Sequence, residues 1–175
     1  MSSNRVKKSL MYLSGDDFYV FCYVVIIILD YLKCRDGKFF NDYRKLAFIV
    51  EFIKDDKLNY IISNSNSKPL NPIDKECLFS SYSTGLSRRS EVLKLLFTLE
   101  KKNYISLNKG NTQSFVNVSL NKKSIPEEFF NKQVFMNEYD NIKVFSKCVK
   151  RLSSLKLDTM LERIYAQNGI STWAI

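Results

Sequence analysis

Along most of this chain the apolar positions recur with the period of a helix and only briefly with that of a strand. Phe18 to Leu29 is an uninterrupted apolar run of twelve residues. Ser14-Gly15-Asp16-Asp17 precedes it and supplies a capping side chain and acidic residues for the positive end of a helix dipole. The pattern predicts a first helix running to about Cys34, apolar all round and so buried on most faces. Arg35-Asp36-Gly37-Lys38 then breaks it with a glycine turn. Leu46, Ile49, Val50 and Ile53 share one helical face and predict a second helix over about 40–54. Residues 57–63 stay ambiguous. Leu58, Tyr60 and Ile62 alternate as in a strand, whereas Leu58, Ile61 and Ile62 suit a helix.

Asn64 to Pro72, rich in Asn, Ser, Lys and Pro, reads as an exposed loop. A short helix over 73–81, begun by Asp74, is followed by a predicted turn at Ser83-Thr84-Gly85-Leu86-Ser87. A helix over 88–103 turns Val92, Leu95, Leu96 and Leu99 inward. Tyr104 to Leu107 and Phe115 to Val118 read as two strands joined by a turn at Lys109-Gly110-Asn111. Beyond Pro126 the chain is helical again. Phe135, Ile142 and Val149 step by seven, with Phe145 and Leu152 between and after them, a seam of near-heptad spacing. Such a seam is either a face of the domain core or a docking face for a partner helix. Asn168-Gly169 stops the last helix, and Trp173 stands in an apolar tail.

Charge sharpens this picture. The net charge is +9, unevenly spread: the window 87–123 carries 8 Lys/Arg against 2 Asp/Glu. An excess confined to one short window points to a surface that faces a polyanion, or to a solvated basic face. The absence of histidine excludes Ser-His-Asp and Cys-His catalysis in their usual forms and histidine-ligated metals. Cys22, Cys34, Cys77 and Cys148 form no C-x-x-C pair, so a zinc site is not expected and reduced thiols are. The apolar run at 18–29 imitates a signal peptide. Asp16, Asp17 and Asp30 flank it, however, and a membrane span needs about 20 apolar residues. The reading is a buried core helix in a cytoplasmic protein with no membrane partner.

The chemistry left for an enzyme is carboxylate–x–lysine metal catalysis, as in Asp36-Gly37-Lys38, Asp55-Asp56-Lys57 and Glu100-Lys101-Lys102. That chemistry needs both side chains on one face of a strand. Glu100 and Lys102 lie in a predicted helix, about 200° apart, and the other two pairs sit at turns. Gly85, Gly110 and Gly169 stand alone, with no phosphate-cradling loop. No catalytic residue, metal or cofactor is expected.

The order over 73–120 (short helix, turn, amphipathic helix, strand, turn, strand) resembles a winged helix-turn-helix. So does the wording from Leu86-Ser87-Arg88-Arg89-Ser90 through Leu99-Glu100-Lys101-Lys102-Asn103-Tyr104-Ile105. Asn103 stands where that family usually has a helix-ending glycine, and Asn is the next best residue for the left-handed conformation. The expected fold is mainly α with a small β-hairpin wing. Residues 1–13 would be a flexible basic arm, 14–72 an N-terminal helical part, 73–123 the winged helix and 124–175 the C-terminal helices and tail. The resemblance implies DNA contact through Ser87, Arg88, Arg89, Ser90 and Lys94 at the start of the recognition helix, and Lys109 at the wing tip.

The layout as a whole includes Leu29-Asp30-Tyr31-Leu32 before a glycine turn, and Ser80-Ser81-Tyr82-Ser83 leading into the winged-helix motif. It is similar to the middle component of three-component ABC-ATPase systems, the Lamassu-type anti-phage and anti-plasmid systems. That resemblance implies a non-catalytic subunit joining an SMC-like ABC ATPase to an effector nuclease, with double-stranded DNA as a further contact. Phe135, Ile142, Phe145, Val149, Leu152 and Trp173 would be the partner-binding residues. The alternative is a MarR- or PadR-like transcription regulator that dimerises through its terminal helices.

Overall fold

A computed structural model describes residues 17–110 and 114–173. The basic arm 1–13, the cap residues Ser14 to Asp16 and Asn111 of the hairpin turn fall outside them. The described chain is mainly α, with seven α-helices and one two-stranded antiparallel hairpin. No helix among the described residues is long and apolar enough to cross a membrane.

Helix α1, Asp17–Tyr31, buries Val24 to Leu29 almost completely, as its uniform apolarity requires. It stops three residues short of Cys34 because Lys33 turns left-handed (φ 57°) and the Cys34 N–H closes back on the Leu29 carbonyl at 2.9 Å. The glycine turn at Arg35 to Lys38 forms as expected, with Asp36 and Gly37 both at positive φ (54° and 88°), but Arg35 and Phe40 on either side of it bridge to Leu120 and Val118, which the sequence reading missed. Phe40 and Val118 exchange both main-chain hydrogen bonds, at 2.7 and 2.9 Å, and the Leu120 N–H donates to Cys34 O at 2.8 Å. Helix α2, Arg44–Lys54, therefore starts later than residue 40.

Helix α2 is the hub of the fold. It packs against every other α-helix of the described chain, and Leu46 to Val50, Phe52 and Ile53 are all buried. Helix α3, Asp56–Asn64, resolves the ambiguous segment: Asp55 Oδ1 accepts from the N–H groups of Lys57 and Leu58 at 2.8 and 3.3 Å. Leu58, Ile61 and Ile62 face the core and Tyr60 faces solvent, the helical choice.

Helix α4, Pro72–Ser87, is capped by Asn71, whose Oδ1 accepts from Asp74 N–H at 2.8 Å. It continues through the expected turn at 83–87. Gly85 is helical there and buried, and a Cβ on it would overlap the Phe48 ring of α2. The glycine permits close approach of two helices, not a turn. Helix α5, Arg89–Lys101, follows after Arg88 alone, where a helix-turn-helix ordinarily has three or four turn residues (about that many). Asn103 ends this stretch in the left-handed conformation (φ 60°), as expected, and Tyr104 N–H reaches Leu99 O at 3.0 Å. Strands β1, Ile105–Lys109, and β2, Val116–Leu120, pair with Ile105 opposite Leu120 and Leu107 opposite Val118. Ile105, Val118 and Leu120 enter the core.

Helix α6, Met136–Cys148, and helix α7, Leu157–Ile164, close the fold. The loop between them is held by Lys45 of α2. Its side chain is fully buried and its Nζ donates to the carbonyls of Leu152, Ser153 and Leu155, the last at 2.8 Å. The same ammonium lies 4.3 Å from the centre of the Phe40 ring. Burial pulls its pKa down to about 8, with Asp42 opposing. A left-handed Gly169 (φ 80°) ends the last short turn, as the Asn-Gly pair predicts. One hydrophobic core draws on 14–72, 73–123 and 124–175 alike.

Candidate nucleic-acid interface

Helix α5 has two unlike surfaces. Val92, Leu95, Leu96 and Leu99 are buried on one side. Ser90, Lys94, Phe97, Thr98 and Lys101 are exposed and spaced by four, three, one and three residues, which is one face of a helix. Phe97 is 48% exposed between the two lysines. The Thr98 hydroxyl donates to Lys94 O at 3.0 Å, and two exposed acids border the stripe: Glu91, one turn before Lys94, and Glu100, whose Oε1 accepts from Leu107 N–H at 3.2 Å. The hairpin carries Lys109, exposed at the end of β1.

The start of α5 does not present itself as the sequence suggests. Arg88 Nη1 donates to Glu51 Oε1 of α2 at 2.8 Å, with both side chains largely covered. The Arg89 guanidinium lies 6.0 Å from the centre of the Phe48 ring, and its Nε and Nη2 are buried without a hydrogen-bond partner. Burial, followed by the nearby Arg44 charge, lowers the Arg89 pKa from its ordinary value. With only Arg88 between α4 and α5, both arginine side chains lie against α2. Ser87 and Ser90 are exposed, and the Ser87 hydroxyl donates to Thr84 O at 2.9 Å. Of the cations after the hairpin, Lys122 is held by Asp30 at 2.9 Å, together with Arg35 at 3.1 Å, while Lys123 is exposed.

The hairpin base is braced. Asn117 Oδ1 accepts from Asp42 N–H at 2.9 Å, and Asp42 in turn grips Arg44 at 2.9 and 2.7 Å. The Arg44 guanidinium covers the Phe115 ring at 4.8 Å. The hydrogen bonds that Arg44 donates to the Asp42 carboxylate raise its pKa, so this charge stays fixed.

The residues expected to bind a partner divide. Phe135, Ile142, Phe145, Val149 and Leu152 are all buried within the chain. Phe145 meets the Phe52 ring at 4.9 Å, and Phe135 stacks on Tyr23 at 5.0 Å. This corrects the docking alternative for these five side chains: their surroundings are α1, α2 and the loops that Lys45 ties down. Only Ile142 and Phe145 lie on α6, so the seam is not one continuous helix. Trp173 differs. It is 61% exposed, its ring stacks on Tyr82 at 5.9 Å and its main-chain N–H donates to Tyr82 Oη at 3.0 Å.

Sequence reasoning passed over Phe97 and Lys101, although their helical spacing from Ser90 and Lys94 was a usable signal. Compared with protein-family models, curated proteins and solved structures, the chain matches none.

Proposed function

We propose that this chain is a non-catalytic subunit whose α5 and hairpin form a winged helix contacting the phosphates of double-stranded DNA. It serves an SMC-like ABC ATPase in a defence complex and joins it to an effector nuclease. The observation that carries the DNA reading is the exposed stripe Ser90, Lys94, Phe97, Thr98 and Lys101 beside the hairpin, within the most basic window of the chain. Lysines and hydroxyls of this kind position a protein on a duplex backbone. The arginines able to fork a guanine edge, Arg88 and Arg89, are engaged with α2, so the contact is one to phosphates and is indifferent to sequence. Trp173, on the rim of the core, is the element left for a protein partner. A free-standing regulator has less support, because the seam it would use to dimerise is filled by the chain itself.

The reading is tested by affinity capture of the tagged chain from its own cells, followed by selection from a random duplex pool. A large coiled-coil ATPase and a nuclease should co-purify, and the pool should bind without enrichment of any motif. A symmetric homodimer with no larger partner would sink the subunit reading.

A further inference from the structure

The C-terminal ends of α3, α6 and α7 border a cleft of about 450 Å³. Lys147, Lys150 and Arg163 line it, with Ser65, Asn66 and Gln167 among them, and no carboxylate belongs to the lining. Ile62 and Val149, both buried in the core, form its apolar part. The three cations come from three places: the last turn of α6, the loop after it and the last turn of α7.

Cations gather at helix C-termini because the dipole and the free carbonyls attract them. Part of that demand is met by bonds within the chain. The Ser65 N–H and hydroxyl both bond to Ile62 O, at 3.4 and 2.9 Å. Val149 N–H bonds to Phe145 O at 2.9 Å, and Asn168 Nδ2 donates to Ile164 O at 2.8 Å. Among the described residues, Lys147, Lys150 and Arg163 enter no ion pair. Three positive charges that enter no ion pair among the described residues thus share one hollow with two side-chain amides and a hydroxyl.

We propose that this cleft binds adjacent phosphate groups. A lone carboxylate would satisfy one cation, whereas a run of phosphates engages all three, with Arg163 as the fork and the lysines as point charges. The size is that of a small-ligand site, within the usual range of roughly 300–1,000 Å³. A nucleoside triphosphate and a nucleic-acid backbone both carry this chemistry. The site shares no residue with the α5 face and does not depend on it.

Titration calorimetry of the full chain tests this with inorganic tripolyphosphate, ATP and a short single-stranded oligonucleotide, at about 150 mM salt to screen diffuse attraction. Lys147→Gln with Arg163→Gln is compared with Lys38→Gln with Lys57→Gln, an exposed pair of equal charge elsewhere. Tripolyphosphate should bind the wild type and the Lys38/Lys57 variant alike, and the cleft variant at least tenfold more weakly. ATP matching tripolyphosphate would assign a free polyphosphate ligand; the oligonucleotide competing it off would assign a backbone. No heat with tripolyphosphate, or equal weakening in both variants, would overturn the proposal.

Discussion

Arg88 of the α4–α5 junction and Glu51 of α2 form an ion pair with Nη1 to Oε1 at 2.8 Å. It fixes the start of α5 to the hub helix and removes Arg88 from any outward role. Both side chains are less than a quarter exposed, so the pair is screened less than one in open solvent. Arg88→Ala should lower stability by about 1–2 kcal/mol. In a double-mutant cycle with Glu51→Gln, urea unfolding should give a coupling of about 1 kcal/mol. Additive effects would mean that the two side chains do not meet in solution.

Gly85 provides a prediction opposite in sign to helix propensity. Gly→Ala inside a helix ordinarily stabilises by up to about 1 kcal/mol. Here the added methyl would meet the Phe48 ring. Gly85→Ala should therefore destabilise, by about 1–3 kcal/mol, as overpacking does. A raised urea midpoint would show that α4 and α2 are further apart than described.

Lys45 predicts a pH effect. Its folded pKa, about 8, lies below its ordinary 10.5. Between those values the unfolded chain holds a proton that the folded chain has released, so the linked stability rises with pH. Lys45→Met should cost about 3 kcal/mol at neutral pH, because buried carbonyls of the α6–α7 loop lose their donor. The gap between wild type and variant should widen from pH 8 towards 10.5. A gap that narrows across this range would contradict the buried placement of the ammonium.

The thiols should sort by burial. Cys22 and Cys34 are pushed up to about 11 by desolvation, whereas Cys77 is half-buried on α4. In the native chain iodoacetamide should modify Cys77 well before Cys22 or Cys34, since its thiol is partly exposed and theirs are buried with the thiolate disfavoured. Peptide mapping by mass spectrometry against time reads this directly. Comparable rates at all three would place Cys22 of α1 and Cys34 just after it outside the core.

The parts of the fold legible in the sequence are those fixed by local chemistry. The apolar run at 18–29, the face Leu46, Ile49, Val50 and Ile53, and the Asn103 and Gly169 helix ends all reappear as expected. What escaped depends on distant partners. Gly85 reads as a turn until Phe48 is seen against it. Phe40 reads as the start of a helix until Val118, far along the chain, accepts its N–H. Val149 and Leu152 continue a heptad spacing but belong to a loop held by Lys45, and no local pattern marks a lysine as buried. In the candidate interface, Lys94 was legible from helical position alone. The inward turn of Arg88 and Arg89 was not, because it is set by Glu51 and Phe48.

The central claim is that the outer stripe of α5, and not the arginines at its start, meets nucleic acid. The most direct measurement is the salt dependence of duplex binding for two double variants. Lys94→Ala with Lys101→Ala removes exposed charge; Arg88→Ala with Arg89→Ala removes charge turned towards α2. Each lost phosphate contact lowers the slope of log affinity against log salt by about 0.9, so the lysine pair should lower it by about 1.8. The arginine pair, in chains verified as folded by their urea melts, should leave the slope unchanged. A slope that falls with the arginines and holds with the lysines would contradict the account.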